Sequence, residues 1–87
     1  MARYSVAIKA SALREIEAIP HKVHRQRIVQ LIGQLADEPR PPGCEKLTGL
    51  DRYRIRQGPY RIVYAVADAE VTVYVVRVAH RSAVYRK

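Results

Sequence analysis

The sequence predicts an α+β fold of two layers, in which two N-terminal helices pack on one face of a mainly antiparallel four-stranded sheet. Three observations support this prediction: an alternating segment near the N-terminus, two segments with helical spacing of apolar residues, and three later segments rich in β-branched and aromatic residues. The predicted order is β-α-α-β-β-β. A chain of 87 residues, 48% of them hydrophobic, can build one core, so residues 1–87 are predicted to form a single domain.

The first predicted strand covers residues 3–9, where apolar and polar side chains alternate. In an extended chain this alternation places Tyr4, Val6 and Ile8 on one side, which indicates a half-buried strand. We expect this strand to lie beside the three strands of the C-terminal half.

Two helices are predicted to follow and to pair as a helical hairpin. Ser11 offers an N-cap for a helix over residues 12–19, which Pro20 ends. The second helix is predicted over residues 21–36, with His24 on its solvated polar face. The predicted apolar stripes are Leu13, Ile16 and Ile19 in the first helix, and Ile28, Leu31, Ile32 and Leu35 in the second.

The C-terminal half is predicted to form a meander. A loop rich in proline and glycine, residues 37–50, separates it from the helices. Gly58–Pro59 and residues 67–70 are predicted turns, and residues 82–87 form a short polar tail. The three predicted strands are residues 53–57, 60–66 and 71–79.

Composition limits the possible functions. The net charge is +8, and twelve of the sixteen basic residues are arginines, whose planar fork fits phosphate or carboxylate. A polyanion or an acidic protein is therefore the expected partner. The lone Cys44 cannot form an internal disulfide, and no segment reads as a membrane span or a leader peptide. We expect a cytoplasmic protein without a metal or another cofactor.

The segment 52–61 contains four arginines and no acidic residue. Strand alternation puts the first three on one face, and a two-residue turn at Gly58–Pro59 would place Arg56 directly opposite Arg61. Opposed like charges are destabilising, and no acidic residue nearby in sequence faces them. The pattern favours an external anion such as a phosphate. The alternative is a charged edge strand that resists aggregation.

The same reasoning extends the register into the last strand. A turn centred on residues 68–69 would pair Arg61 with Val76. His80 would then project to the arginine face, where an imidazole could act as an acid or a base.

Two C-terminal motifs resemble the RelE branch of the RelE/ParE toxins. They are Tyr53-Arg54-Ile55-Arg56-x-Gly58-x-Tyr60-Arg61-Ile62-Val63-Tyr64 and His80-Arg81-Ser82-x-Val84-Tyr85-Arg86. Four shorter matches extend the resemblance over nearly the whole chain: Tyr4-x-Val6, Ile19-Pro20, Leu35-x-x-x-Pro39 and Lys46-Leu47-x-Gly49.

The resemblance implies the toxin of a type II toxin–antitoxin system. Toxins of this branch cut messenger RNA in the ribosomal A site without a metal, and a cognate RelB-like antitoxin neutralises them. Operator DNA is contacted by the toxin–antitoxin complex, mainly through the antitoxin. The expected partners are therefore the antitoxin, the ribosome with its message, and operator DNA only within that complex.

The resemblance also suggests the site. Cleavage by a neighbouring 2′-hydroxyl needs a base, an acid and charge to stabilise the phosphorane. Tyrosines near strand ends could stack on bases. The expected catalytic residues are Arg54, Arg56, Arg61, His80, Arg81 and Tyr85, and the expected RNA-binding residues are Lys46, Arg52, Tyr60 and Arg86.

Some features depart from the family pattern. Some relatives have lysine where Arg54 and Arg56 stand, and arginine does not deprotonate, so the identity of the general base stays open. No catalytic carboxylate is evident, Pro59 replaces a polar turn residue, and the C-terminal helix of some relatives is expected to be absent. Two alternative functions remain: a ParE-like toxin that poisons DNA gyrase, and a non-catalytic nucleic-acid-binding module.

Overall fold

The computed structural model describes residues 3–47, 49 and 51–84. In these residues the chain forms five strands and three α-helices, with a one-turn 3₁₀ helix at Asp68–Glu70. The strands are β1 Ser5–Ile8, β2 Glu45–Lys46, β3 Arg52–Gln57, β4 Tyr60–Ala67 and β5 Thr72–His80, and the helices are α1 Ala10–Glu17, α2 Lys22–Gln34 and α3 Arg81–Val84.

The strands form one sheet in the order β1-β5-β4-β3-β2. Strand β1 runs parallel to β5, whereas the other neighbours are antiparallel, so the predicted α+β fold and the position of the first strand are confirmed. The sheet has five strands rather than the predicted four. The additional strand β2 lies inside the predicted loop and pairs Glu45 with Arg54 and Lys46 with Tyr53.

The helices carry most of the predicted core residues. Ile28, Ile32 and Leu35 of the second helical segment are buried, as are Ile16 and Ile19. The prediction for Leu13 is wrong: its side chain is 45% exposed, and Ala12 occupies the core position instead. Helix α1 begins at Ala10, ahead of Ser11, so the predicted N-cap is wrong as well.

Helix α1 also covers the edge of β5 that β1 leaves open. The short strand β1 ends opposite Val75, and beyond that point Glu15 accepts a hydrogen bond of 2.8 Å from the backbone N–H of Val78. Glu15 also lies 3.7 Å from the guanidinium of Arg77. The side chain thus satisfies a backbone donor that would otherwise stand unpaired at the sheet edge.

The chain after β5 turns into a helix, where the sequence predicted a polar tail. The four residues of α3 begin directly after His80. The backbone N–H of Arg81 donates a hydrogen bond of 2.7 Å to the carbonyl of Pro59, which attaches the start of α3 to the β3–β4 turn. No helix in the described part of the chain has the length and apolar character needed to cross a membrane.

Candidate anion-binding site

The β3–β4 hairpin has the predicted register. Gln57 pairs with Tyr60, Arg56 with Arg61 and Ile55 with Ile62. Gly58 has a φ of 58°, which a two-residue primed turn requires at its first position and which glycine adopts without strain. Because proline cannot take a positive φ, Pro59 restricts the turn to type II′.

Three arginines converge on the sheet face that points away from the helices. Arg54, Arg56 and Arg61 line a cavity of about 150 Å³ together with Gly43 and Glu45. We call these three residues the arginine cluster. The opposite face of the same strands carries the buried core residues Ile55, Ile62 and Tyr64. Alternation along two paired strands therefore separates a cationic face from an apolar one.

Members of the cluster differ in exposure. Arg61 lies at the centre and is only 7% exposed, whereas Arg56, directly opposite, is open to solvent. Arg54 is half-buried, and its Nε atom is buried without a hydrogen-bond partner among the described residues. Guanidinium groups held this close to one another raise the local positive potential, which favours a bound anion.

The sequence missed one carboxylate at this site. Glu45, on β2, lies 2.7 Å from the guanidinium of Arg54, so the expectation that no acidic residue faces the cluster is wrong. The hydrogen bond from Arg54 lowers the pKa of Glu45, and the positive charges of Arg54, Arg61 and Arg56 lower it further. Glu45 is therefore an anion at neutral pH. Among the described residues that line the cavity, one carboxylate faces three guanidinium groups, which leaves the cavity cationic.

The predicted β4–β5 register is wrong. Arg61 pairs with Ala79 and not with Val76, and His80 pairs with Tyr60. The turn is longer than two residues, and an irregularity between Val63 and Tyr64 shifts the register by one further residue. A shift by one reverses the face of every later residue, so His80 projects to the side of Tyr60, away from the arginine cluster.

His80 and Tyr60 meet His24 at the hairpin end of the fold. The rings of Tyr60 and His80 pack edge to face, 5.4 Å apart, and His24 of α2 lies 5.6 Å from the other side of Tyr60. Tyr60 is 9% exposed, so its ring is not presented for stacking on a base. His24 was predicted to be solvated, but it is half-buried beside this ring.

The remaining predicted site residues are distributed around the molecule. Arg52 shares the face of the cluster but lies at the far end of β3, opposite Ala65. Lys46 pairs with Tyr53 and so lies on the opposite face from the cluster. Arg81 is exposed at the start of α3. The predicted residues Tyr85 and Arg86 lie outside the described residues.

A separate arginine, Arg40, lies away from the cluster and is bound by internal partners. Arg40 donates two hydrogen bonds to Asp68, of 3.2 and 2.8 Å, and a third of 2.8 Å to the hydroxyl of Tyr53. Tyr4 donates to the same carboxylate at 2.8 Å. We call these four residues the anchored network. The hydrogen bond from Arg40, followed by that from Tyr4, lowers the pKa of Asp68.

A larger groove lies between the two long helices. It has a volume of about 900 Å³ and is lined by Ile16, Glu17, Arg25, Gln26, Val29 and Gln30. Its cationic and acidic side chains are present in equal number, so it lacks the excess of positive charge found in the small cavity. No group of three histidine, cysteine, aspartate or glutamate side chains in the described residues is placed to hold a metal ion.

The chain is similar to known toxins over nearly all of its length. The profile of the ParE toxin of the type II toxin–antitoxin system parDE matches residues 6–85. Toxin RelE of Mycobacterium tuberculosis is 36% identical over 86 residues, covering 95% of this chain and 87% of the relative.

Solved structures agree with this similarity. The toxin–antitoxin complex RelBE2 of Mycobacterium tuberculosis contains a chain that matches with a TM-score of 0.80 and 28% identity, covering 94% of this chain and 95% of that one. The archaeal RelE–RelB complex of Pyrococcus horikoshii matches with a TM-score of 0.78 and 29% identity, covering 93% and 97% of the two chains.

Proposed function

This chain belongs to the RelE/ParE superfamily of toxins from type II toxin–antitoxin systems, and we propose that it inhibits translation by cutting messenger RNA on the ribosome. The observation that carries this proposal is the arginine cluster, a cationic cavity built across β3 and β4 of a RelE-like toxin. Its guanidinium groups match the geometry and charge of a backbone phosphate.

The cluster suits the transition state of RNA cleavage. When a 2′-hydroxyl attacks the adjacent phosphate, negative charge builds up on the phosphorane oxygens. Arg61 is nine-tenths buried and fixed between paired strands, so it can meet that charge without reorganisation. Arg56 approaches from the opposite strand, and Arg54 borders the same cavity. Removing one such preorganised donor typically slows a reaction by about 10²–10³-fold.

The described part of the site lacks an evident proton-transfer group, which favours a role for the ribosome. Arginine does not exchange its proton at neutral pH, and among the described residues that line the cavity, the single carboxylate is bound to Arg54. A site that acts mainly by stabilising charge needs a substrate whose 2′-hydroxyl and phosphate are already aligned. Ordered mRNA in a decoding site provides such an alignment, and correct orientation of the reacting groups lowers the activation barrier by several kcal/mol.

A RelB-like antitoxin is the proposed partner of the free toxin. The chain carries a net charge of +8, so a segment rich in acidic residues would bind it and compete with RNA for the cluster. Binding of such a partner also stabilises a small domain by mass action. Contacts with operator DNA are proposed only for the complex, and the cytoplasm, where translating ribosomes are found, is the proposed location.

Purified protein and purified ribosomes test this function. We expect primer extension to reveal cuts in a message at the A-site codon of stalled ribosomes, and no cuts when the ribosomes are omitted. Addition of the antitoxin encoded beside the toxin gene should abolish cleavage. An intact message in the presence of ribosomes would contradict the proposal.

The ParE-like alternative has one observation in its favour, since the matching family profile carries that name. It assigns DNA gyrase as the target. A supercoiling assay with purified gyrase, run with the same protein preparation, separates the two functions: inhibition of gyrase with intact messages would place this chain in the ParE branch. If neither target is affected but RNA binds with a strong dependence on salt, the chain is a non-catalytic nucleic-acid-binding module.

A further inference from the structure

The side chain of His80 makes a short-range contact with the helix that follows it. The backbone N–H of Ser82 donates a hydrogen bond to Nδ1 of His80 at 3.2 Å, and the Ser82 hydroxyl lies 2.9 Å from the same nitrogen. His80 is the residue immediately before α3, and Ser82 is the second residue of that helix. A side chain at this position that accepts the second N–H of a helix is acting as an N-cap.

This contact selects one tautomer of the imidazole. A backbone N–H can only donate, so Nδ1 must accept, and the ring hydrogen resides on Nε2. In this form the outward nitrogen has no free lone pair with which to take a proton from a 2′-hydroxyl. A neutral Nε2–H group is in turn a very weak acid, so it is poorly suited to protonate a leaving oxygen.

The orientation of the ring also separates it from the cluster. His80 pairs with Tyr60, and the two rings pack edge to face on the side of the sheet opposite to Arg61. Behind Tyr60 lies His24 of α2, whose ring is 5.6 Å away. The imidazole is therefore held between Tyr60 and the first turn of α3.

The start of α3 is fixed at two points. The N–H of Arg81 donates to the carbonyl of Pro59 at 2.7 Å, and the N–H of Ser82 donates to His80. The first N–H groups of a helix have no partner within the helix, so each needs one from outside. The hairpin turn and the imidazole provide one partner each, and together they set where Arg81 leaves the sheet.

We propose that His80 is a positioning residue that caps α3 through Nδ1 and fixes the segment carrying Arg81, and that it is not the acid or base of RNA cleavage. The part of this inference that concerns RNA cleavage rests on the proposed function. The helix cap itself does not depend on that function. Asparagine is the matched substitution, because its side-chain oxygen caps a helix and its amide does not titrate.

Two variants of the full chain, compared with the wild-type protein, test the cap directly. We compare the wild-type protein, His80→Asn and His80→Ala by NMR. Above neutral pH, the ¹⁵N shifts of the wild-type ring should identify Nδ1 as the unprotonated nitrogen. Loss of an N-cap typically weakens a helix start enough to accelerate exchange of the capped amide about fivefold. We expect this acceleration at Ser82 in His80→Ala and near wild-type exchange in His80→Asn.

Cleavage of ribosome-bound message then distinguishes positioning from proton transfer. We expect His80→Asn to retain activity within about threefold of wild type and to keep the same dependence on pH, whereas His80→Ala loses about tenfold. Proton-transfer groups contribute about 10²–10⁴-fold, so a loss of that size in His80→Asn, together with an altered pH profile, would overturn the proposal.

The NMR result also stands if no cleavage is found. A wild-type protein that leaves ribosome-bound messages intact would contradict the proposed function, while protection of the Ser82 amide in wild type and His80→Asn would still support the cap. A ring with the proton on Nδ1, or equal exchange at Ser82 in all three proteins, would contradict the cap whatever the activity.

Discussion

Two regions of this molecule bring arginines against a carboxylate, and they differ in how the positive charge is balanced. In the anchored network, Arg40 donates three hydrogen bonds to Asp68 and Tyr53, and Asp68 accepts a further one from Tyr4. In the arginine cluster, Arg56 and Arg61 lie directly opposite each other, and Glu45 contacts Arg54.

This difference distinguishes Arg40, a structural arginine, from the arginines of the cluster, which are placed to bind a ligand. Arg40 connects the loop after α2 to β3 and to the β4–β5 turn, and its guanidinium also lies over the ring of Tyr53, 5.2 Å from its centre. Such a residue holds chain segments together. The cluster brings like charges close within a small cavity, which costs free energy in the absence of an anion. We therefore expect substitutions in the cluster to reduce activity, and substitutions in the anchored network to reduce stability.

The largest expected effect is on cleavage when the cluster loses its central member. Arg61→Gln should lower the rate of cleavage on the ribosome by about 100-fold, because a preorganised cation next to the phosphorane is lost. Glutamine retains part of the volume of this buried side chain. Primer extension on programmed ribosomes measures the rate, and circular dichroism verifies that the variant is folded.

A control for net charge is available on α2. Arg27 is exposed there, so Arg27→Gln removes the same charge at a distance from the cavity, and cleavage should change less than about threefold. If the two variants lose activity equally, overall charge and not the cluster governs the reaction.

A substitution in the anchored network should lower the stability of the fold. Arg40→Ala removes a half-exposed ion pair and the hydrogen bond to Tyr53, which should destabilise the fold by about 1 kcal/mol. For a domain of this size that corresponds to a decrease in Tm of about 4–8 °C. A thermal melt measures it. Cleavage by the folded protein should be unaffected, and a loss of cleavage comparable to that of Arg61→Gln would remove the distinction between the two regions.

The sequence predicted the hairpin that builds the cluster because its turn is fully specified by residue type. Gly58 alone adopts the required positive φ, and Pro59 fixes the following residue, so the opposition of Arg56 and Arg61 follows. The β4–β5 turn carries no such specification. Val71, a β-branched residue, takes the left-handed conformation with a φ of 51° after the 3₁₀ turn, which residue preferences argue against.

The positions of Glu45 and His80 depend on tertiary contacts, which leave no pattern in the sequence. Glu45 belongs to a strand of two residues, too short to show alternation, within a segment rich in proline and glycine. Its approach to Arg54 is set by pairing with β3. The position of His80 likewise depends on the irregularity at Val63, which reverses the face of the strand end. Local residue preferences therefore predicted that the arginines share one face, but not which groups surround them.

A smaller effect is expected when the carboxylate at the cluster is neutralised. Glu45 competes with any added anion for Arg54, so Glu45→Gln should bind inorganic phosphate about threefold more tightly than wild type. The rise in Tm on titration with phosphate measures this affinity. Asp37→Asn is the matched control, because Asp37 also pairs with an arginine, Arg3 at 3.5 Å, but lies away from the cavity. Equal phosphate binding by both variants would show that Glu45 does not occupy the anion site.

The smallest expected effect is on the pH dependence of stability, and it involves both regions. The pKa values of Asp68 and Glu45 are lowered by their hydrogen bonds from Arg40 and Arg54. A carboxyl whose pKa is lowered on folding stabilises the fold above its unfolded pKa, about 3.9 for Asp and 4.3 for Glu, and this contribution is lost as the pH falls through the folded pKa.

Thermal melts between about pH 6 and about pH 3 should therefore decline less steeply in Arg40→Ala and in Glu45→Gln than in wild type. Arg40→Ala leaves the hydrogen bond from Tyr4 to Asp68 in place, so part of the slope should remain. The two regions differ in their response to phosphate. Phosphate added at pH 6 should raise the Tm of Arg40→Ala as much as that of wild type, because the anion occupies the cluster and not the anchored network. A weaker phosphate response in Arg40→Ala than in wild type would mean that the anchored network also binds the anion.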